Sequence, residues 1–257
     1  MKRINNVFTK TKAEKRPALI PFIMGGDGDT KGMLAALAEN GADIIEIGIP
    51  FSDPMADGPV IQAAGLRALK SGASLAKILA MVVEFRKTNT TTPIILMGYY
   101  NPIYRYGPEA FCADAAKAGV DGVIVVDLPP EEEAELTPHL AKHGIDFIRL
   151  IAPTSVGDRL KKLCASASGF IYYIAVAGIT GGKSASKEEL QTRLSEIRTH
   201  TKLPIAVGFG IKTPEQASAL KDIADAVVVG SALVEKAQDG VAAATQFIRE
   251  ISVAMRT

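Results

Sequence analysis

Eight short apolar runs divide this chain of 257 residues into repeating units. Most of the runs are continuously apolar and do not alternate with polar residues. That pattern is typical of parallel strands that are covered on both faces. The predicted strands are Ala18–Met24, Ile44–Ile49, Ile94–Tyr99, Gly122–Asp127, Asp146–Ile151, Phe170–Ala175, Pro204–Phe209 and Ala226–Gly230.

Helical patterns separate these runs. The predicted helices are Thr30–Asn40, Leu75–Lys87, Pro108–Ala118, Pro130–His143, Lys187–His200, Pro214–Leu220 and one within Leu233–Met255, with a short N-terminal helix in Met1–Ala13. Three of them end in a glycine two residues before an aspartate: Gly41–Asp43, Gly119–Asp121 and Gly144–Asp146. Glycine supplies the left-handed cap of such a helix, so one strand–helix unit is used repeatedly.

The pattern predicts an α/β fold, a (β/α)8 TIM barrel. Eight parallel strands with their crossovers in about 250 residues is the usual size of that barrel. A doubly wound open sheet is the alternative. No linker, low-complexity tract or change of composition marks a boundary, so residues 1–257 are predicted to form a single domain.

Composition and charge limit the class of function. The formal net charge is +1 and the positive residues are scattered along the chain, which gives no electrostatic reason to expect nucleic acid or an anionic membrane as a partner. The first residues lack the apolar core of a signal peptide, and no apolar run reaches the length of a membrane span. Cys112 and Cys164 form no CxxC motif, which favours a reduced, cytoplasmic location.

Two carboxylates are the leading catalytic candidates. Glu46 interrupts an apolar strand, where a charge is costly without a partner or a function. It is predicted to act as a general acid/base with a raised pKa, and the alternative is a structural ion pair with Arg149. Asp57 follows on a loop rich in Pro, Asp and Gly, where it is either a turn residue or the second catalytic group.

The other candidates also lie near predicted strand ends, where the active site of a TIM barrel is found. Asp127 either contributes to the site or caps the helix that follows it. Phe22, Tyr99 and Tyr172 either fill the upper layer of the barrel or form the walls of a pocket for a planar, apolar substrate.

Glycines follow the last three predicted strands, in Ala177–Gly182, Gly208–Gly210 and Gly230–Ser231. Glycine lets backbone N–H groups approach an anion, and TIM barrels often bind phosphate at this position. The sequence therefore predicts a phosphate site, the alternative being that the glycines only form tight turns. His139 and His143 lack a third metal ligand nearby, and no lysine ends a strand to form a Schiff base.

In its motifs the chain resembles the tryptophan synthase alpha subunit family. The matching segments run in order through nearly the whole chain, and the Pro-Phe-Ser-Asp-Pro-x-Ala-Asp-Gly-Pro block is highly specific. They are 20–23, 46–59, 100–102, 127–130, 152–154, 178–181 and 208–210.

The resemblance implies a lyase of tryptophan biosynthesis that reversibly cleaves indole-3-glycerol phosphate to indole and glyceraldehyde 3-phosphate. Glu46 matches the glutamate that protonates indole C3, and Asp57 matches the aspartate at the indole N–H. The resemblance also implies an indole pocket formed by Phe22, Tyr99 and Tyr172, and Thr180 on the family's mobile loop. The matching phosphate-site residues are Gly181, Gly210, Gly230 and Ser231.

The resemblance also implies a partner. This is a beta subunit that carries pyridoxal phosphate, in an α2β2 heterotetramer, while no cofactor is expected in this chain. A stand-alone indole-producing lyase would use the same residues. The rival classes are a non-catalytic binder of phosphorylated ligands and a sugar-phosphate isomerase on the same barrel.

Overall fold

The computed structural model describes residues 2–175, 186–208 and 210–256. Within them, nine parallel strands form one sheet in the order β5-β4-β3-β2-β1-β9-β8-β7-β6. The strands are β1 (Ala18–Met24), β2 (Ile45–Gly48), β3 (Ile94–Gly98), β4 (Gly122–Val125), β5 (Asp146–Phe147), β6 (Arg149–Ile151), β7 (Ile171–Ile174), β8 (Ile205–Gly208) and β9 (Ala226–Val229). The two ends of this order, β5 and β6, are joined through a single residue, so the sheet closes into a barrel.

The predicted fifth strand, Asp146–Ile151, is therefore two short strands. β5 pairs with β4, and β6 pairs with β7. Ile148 lies between them and donates its N–H to the Val123 carbonyl at 2.9 Å. The TIM-barrel prediction is confirmed, and the doubly wound alternative is wrong because the order of the strands never reverses.

Helices surround the barrel. They are α1 (Arg3–Ala13), α2 (Thr30–Glu39), α3 (Pro59–Lys70), α4 (Leu75–Arg86), α5 (Tyr100–Tyr106), α6 (Pro108–Ala118), α7 (Thr137–His143), α8 (Gly157–Ala165), α9 (Lys187–His200), α10 (Pro214–Ser218), α11 (Ser231–Ala237) and α12 (Val241–Arg256), with a 3-10 turn at Glu133–Glu135. Of the described helices, none has the length and apolar character needed to cross a membrane.

Two predicted helices differ from the structure for a backbone reason. The predicted Pro130–His143 helix begins only at Thr137, because Pro138 lacks an N–H and fits only in the first turn of a helix. The predicted helix within Leu233–Met255 is two helices, because Gly240, which lies between them, has a φ of +97° and interrupts the helical backbone. The sequence analysis also missed α3, α5 and α8.

The barrel interior is filled by apolar side chains that alternate along each strand. Ala18 and Ile20 of β1 face Ile44 and Ile95 there, and α1 contributes Phe8, whose ring centroid lies 5.7 Å from that of Phe170. The predicted N-terminal helix is thus confirmed, and it closes the end of the barrel at which the strands begin.

Aspartates at strand starts hold that same end together. Asp121 accepts the N–H of Ile94 at 2.8 Å, and it pairs with Arg86 at 2.8 Å and Arg3 at 2.9 Å. Asp43 accepts the N–H of Leu19 at 2.9 Å. The repeated Gly-x-Asp spacing in the sequence therefore serves two purposes: the glycine ends a helix, and the carboxylate fixes the start of a neighbouring strand.

Asp121→Ala should lower the free energy of unfolding by about 3 kcal/mol, because it leaves a backbone N–H and two guanidinium groups without their acceptor. Urea unfolding measures the change. Asp158→Ala is the control, since the Asp158 side chain is 90% exposed and a surface ion pair is worth about 1 kcal/mol or less. Equal effects of the two substitutions would contradict the role given to Asp121.

Candidate active site

Glu46 lies in the interior of the barrel, near the carboxyl end of β2. Ile44, two positions earlier, belongs to the interior cluster, and side chains two apart share one face of a strand. Phe22 of β1 is the direct neighbour of Glu46 across the pair of strands. Glu46 is only 1% exposed. The apolar surroundings that the sequence predicted for Glu46 are therefore present, and they are closed to solvent.

Burial raises the pKa of Glu46 from its ordinary value of 4.5 to about 8. Its Oε1 atom has no hydrogen-bond partner among the described residues. A carboxyl group in such a place keeps its proton near neutral pH, because the charged form loses hydration and gains no compensating contact. Glu46 therefore has the properties of a general acid at physiological pH.

Arg149 does not reach Glu46. Its neighbours Ile148 and Leu150 face the interior, so the guanidinium points to the opposite face of β6. There it contacts the Glu133 carboxylate, donates to the Leu128 carbonyl at 2.9 Å and lies over the Phe147 ring at 4.1 Å. The structural ion pair considered for Glu46 and Arg149 is not formed.

Asp57 lies on the loop between β2 and α3, beside the hydroxyl of Tyr99. Burial raises the pKa of Asp57, and a hydrogen bond with Tyr99 opposes that shift. The same Tyr99 hydroxyl accepts the N–H of Ala56 at 3.0 Å, and the Tyr99 ring centroid lies 5.3 Å from that of Phe51. Tyr99 thus contacts the loop at Asp57 and at two residues before it. The sequence analysis assigned Tyr99 to the upper layer of the barrel or to a pocket wall, and did not predict its contacts with this loop.

Phe22 and Tyr172 face the interior beside Glu46. Burial, and then the negative charge of Glu46, raise the pKa of Tyr172 well above its usual range. Two glycines make room for these rings. A Cβ at Gly48 would lie 2.6 Å from Phe22 Cζ, and one at Gly208 would lie 2.6 Å from Tyr172 Cε2. Sequence reasoning did not find these two roles, although both glycines occur at strand ends.

Asp127 follows β4 and is exposed. Its carboxylate accepts the N–H of Tyr100, the first residue of α5, at 2.7 Å. The Tyr100 hydroxyl donates to Glu135 at 2.8 Å. Asp127 therefore caps α5, which precedes it in the chain, and not the helix after it as the alternative reading expected. Its predicted contact with substrate stays a prediction.

Three of the four predicted phosphate-site residues are described. Gly210 has a φ of +64° and no atom within 4 Å of the position of a Cβ, so its backbone conformation alone requires glycine. Gly230 precedes α11, and a Cβ there would lie 3.9 Å from Phe22 Cβ. Ser231 is the exposed first residue of α11. Thr180 and Gly181 lie outside the described residues.

A cleft of about 450 Å³ opens at this end of the barrel. Ala56, next to Asp57, lines it together with Asp127, Leu150 and Ile174. The volume is in the range of small-molecule sites. Within the described part of the chain, no three His, Cys, Asp or Glu side chains are grouped as metal ligands.

The comparisons with known proteins agree over the whole barrel. Residues 8–257 match the family model described as "Tryptophan synthase alpha chain". A curated protein of that description from Gluconacetobacter diazotrophicus is 54% identical over 242 residues, which are 93% of this chain and 88% of that protein. The chain belongs to the tryptophan synthase alpha chain family. This family supplies a lyase subunit of tryptophan biosynthesis, as the sequence analysis expected.

Solved structures of the alpha chain family share its fold. Tryptophan synthase subunit alpha from Legionella pneumophila has a TM-score of 0.90 at 41% identity, covering 99% of this chain and 98% of that chain. A structure of Mycobacterium tuberculosis tryptophan synthase has a TM-score of 0.92 at 33% identity, covering 100% and 99%.

The buried Glu46 of this alpha chain should make stability depend on pH. Between about pH 5 and pH 8 the folded chain holds a proton that the unfolded chain has released, so the free energy of unfolding falls as the pH rises. Glu46→Gln removes this dependence. Within that window, the free energy of unfolding of the variant relative to that of the wild type should increase by about 1.4 kcal/mol per pH unit.

Urea unfolding at several pH values measures the difference. Glu39→Gln is the matched control, because Glu39 is exposed at the end of α2. If the Glu46→Gln curve runs parallel to that of the wild type from pH 5 to pH 8, Glu46 does not hold its proton as described.

Proposed function

We propose that this chain catalyses the reversible retro-aldol cleavage of indole-3-glycerol phosphate to indole and glyceraldehyde 3-phosphate. The observation that carries the proposal is the raised pKa of Glu46, a buried carboxyl group beside two aromatic rings. The reaction needs an acid that is still protonated near neutral pH and faces a flat apolar ring. In this proposal residues 1–257 act as a single catalytic domain.

Glu46 serves as both acid and base. Its carboxyl proton passes to indole C3, which places the positive charge on the ring nitrogen. The resulting carboxylate takes the proton of the glycerol hydroxyl next to the ring. As that proton leaves, the bond between C3 and the side chain breaks, its electron pair returns to the ring, and an aldehyde forms. Glu46 regains its proton in the same cycle, so no other reactant is needed.

Asp57 stabilises the intermediate. Its carboxylate accepts the indole N–H and offsets the positive charge that develops on that nitrogen. The hydrogen bond with Tyr99 supports this role, because it favours the ionised form of Asp57 and fixes where the carboxylate lies. The proposal assigns the protonated role to Glu46, which lies in an apolar interior, and the ionised role to Asp57, which has a hydroxyl donor beside it.

The remaining residues orient the substrate. Phe22, Tyr99 and Tyr172 contact the indole ring, and Gly210, Gly230 and Ser231 bind the phosphate, together with Gly181. The short distance between Gly230 and Phe22 supports this arrangement, since it brings the phosphate end close to the ring pocket. Asp127 and Thr180 are proposed to contact the substrate between these two ends.

Glu46→Gln should lower the rate of indole formation from indole-3-glycerol phosphate by at least about 100-fold, because the amide cannot donate a proton to carbon. Substrate binding should change little, since shape and polarity are kept. Indole release and equilibrium binding measure the two effects. Glu39→Gln is the control and should retain the wild-type rate.

The same assay separates the rival functions. If the chain were only a binder of phosphorylated ligands, both the wild type and the Glu46→Gln variant would bind the substrate and neither would form indole. A sugar-phosphate isomerase would convert a triose phosphate in the absence of indole. Either result, obtained with and without a beta subunit, would sink the lyase proposal.

The proposal includes a partner: a beta subunit that carries pyridoxal phosphate, in an α2β2 complex, with no cofactor in this chain. Three large apolar side chains support a docking face at the carboxyl end of the barrel. Met55, Tyr104 and Val156 follow β2, β3 and β6 and are 83%, 59% and 57% exposed. Apolar groups exposed together at one face are typical of an interface.

The buried free thiols of Cys112 and Cys164 support a reducing, cytoplasmic location.

Val156→Asp should weaken the complex with a beta subunit by about tenfold or more, because it buries a charge in the interface. The fold should be unaffected, since Val156 precedes α8 and aspartate is a favoured residue there. Analytical ultracentrifugation with purified beta subunit measures the affinity. Val83→Asp on α4 is the control, because Val83 is also exposed and lies in the outer helical layer. Equal affinities of the two variants would place the partner elsewhere.

A further inference from the structure

A second cleft, of about 420 Å³, lies at the opposite end of the barrel. It is bounded by the end of α1 and by the turns that follow α9 and α10. The six cationic side chains that line it are Lys12, Lys15, Arg16, Arg198, Lys202 and Lys221. They come from three separate parts of the sequence, so the cluster exists only in the folded barrel.

Positive charge is concentrated in this cleft. Six cationic side chains face four carboxylates, which are Asp222 and Asp225 in the lining and Glu14 and Asp43 against Arg16, and this leaves a net charge of +2. The whole chain carries +1, so by the same count the rest of it carries −1. An excess of this size in a concave site raises the local concentration of anions.

The two arginines are already paired, whereas the lysines are not. Arg16 binds Asp43 through two hydrogen bonds of 2.6 and 2.8 Å, and Arg198 pairs with Asp225 at 2.8 Å. Lys12, Lys15, Lys202 and Lys221 are exposed, and none has an ion pair or side-chain hydrogen bond within the described ranges. Four ammonium groups thus remain available, with Asp222 as the single carboxylate not matched by an arginine.

The backbone of Lys15 is a second observation. Its φ of +53° makes it the only residue other than glycine with positive φ in the described part of the chain. It follows α1 at a place where glycine is the usual residue, and a lysine there costs about 1 kcal/mol or more. A side chain retained at such a cost suggests a function for that side chain.

We propose that this cleft binds an oligophosphate, a small anion with at least two linked phosphate groups. Four separated ammonium groups match several charges spread along one ligand better than a single phosphate. The volume suits a small molecule. Nucleic acid fits poorly, because the remainder of the chain has no excess of positive charge to bind a backbone that runs beyond the cleft. Free polyphosphate and the phosphate chain of a nucleotide share the recognised chemistry.

Isothermal titration of the purified chain with tripolyphosphate, at about 50 mM and about 200 mM salt, tests the proposal. The decisive comparison pairs K202A/K221A with K70A/K117A. Each double variant removes two exposed lysines, and Lys70 and Lys117 lie on α3 and α6, outside the cleft. We expect about tenfold weaker binding for the first variant, less than about twofold for the second, and weaker binding by all proteins at high salt.

Lys15→Gly separates function from structure. Glycine adopts a positive φ without strain, so the melting temperature should stay the same or rise. Tripolyphosphate binding should weaken about threefold or more, because one ammonium group is lost. ATP in place of tripolyphosphate shows whether a nucleoside adds affinity. The proposal is overturned if the wild type binds neither ligand at about 50 mM salt, or if both double variants weaken binding equally. Indole formation should be the same for K202A/K221A and Lys15→Gly, since the cleft lies at the far end of the barrel from Glu46.

Discussion

The closed parallel sheet is the constraint on which the rest of this structure depends. Each strand from β1 to β4 and from β7 to β9 has a hydrogen-bonded neighbour on both sides, and β5 and β6 close the ring through Ile148. The side chains of the strands must therefore alternate between the interior and the helical layer. That alternation places Ile44 and Glu46 on the same inner face, and it leaves Glu46 no access to water through a sheet edge. The raised pKa of Glu46 is therefore a consequence of closure, and not of any special neighbour.

The two ends of the barrel handle charge differently. Where the strands begin, aspartates such as Asp43 and Asp121 accept backbone N–H groups and pair with arginines, so their charges stabilise the fold. Where the strands end, Glu46 has no such partner among the described residues, and Asp57 has only a neutral hydroxyl. Stability and chemistry are thus supported by the same residue types in opposite environments. This division is general in TIM barrels, in which the loops after the strands carry the site.

Sequence reasoning found the groups whose signal is local. An acidic residue inside an apolar run identified Glu46, and the loop rich in Pro, Asp and Gly identified Asp57. It could not find contacts that form only when distant segments meet. The bond between Asp127 and Tyr100 crosses from one strand–helix unit to the next, and the four unpaired lysines come together from three separate parts of the chain. Positive charge that is scattered along the sequence can therefore be gathered at one place on the folded surface.

The orientation of the Arg149 side chain shows how closely the protonation state of Glu46 depends on which residues of the neighbouring strands face the interior. The segment Asp146–Ile151 closes the barrel, because its first part pairs with β4, its last part pairs with β7, and Ile148 joins the two. Since the Ile148 side chain faces the interior, the guanidinium of Arg149 must face outward, towards Glu133. A shift of that segment by one residue would turn a cation towards the interior. A cation beside Glu46 would lower its pKa and leave it ionised at neutral pH, with no proton to give. Tyr172 takes the inner position instead. Its own pKa is raised well above its usual range, so it stays neutral and leaves the proton on Glu46.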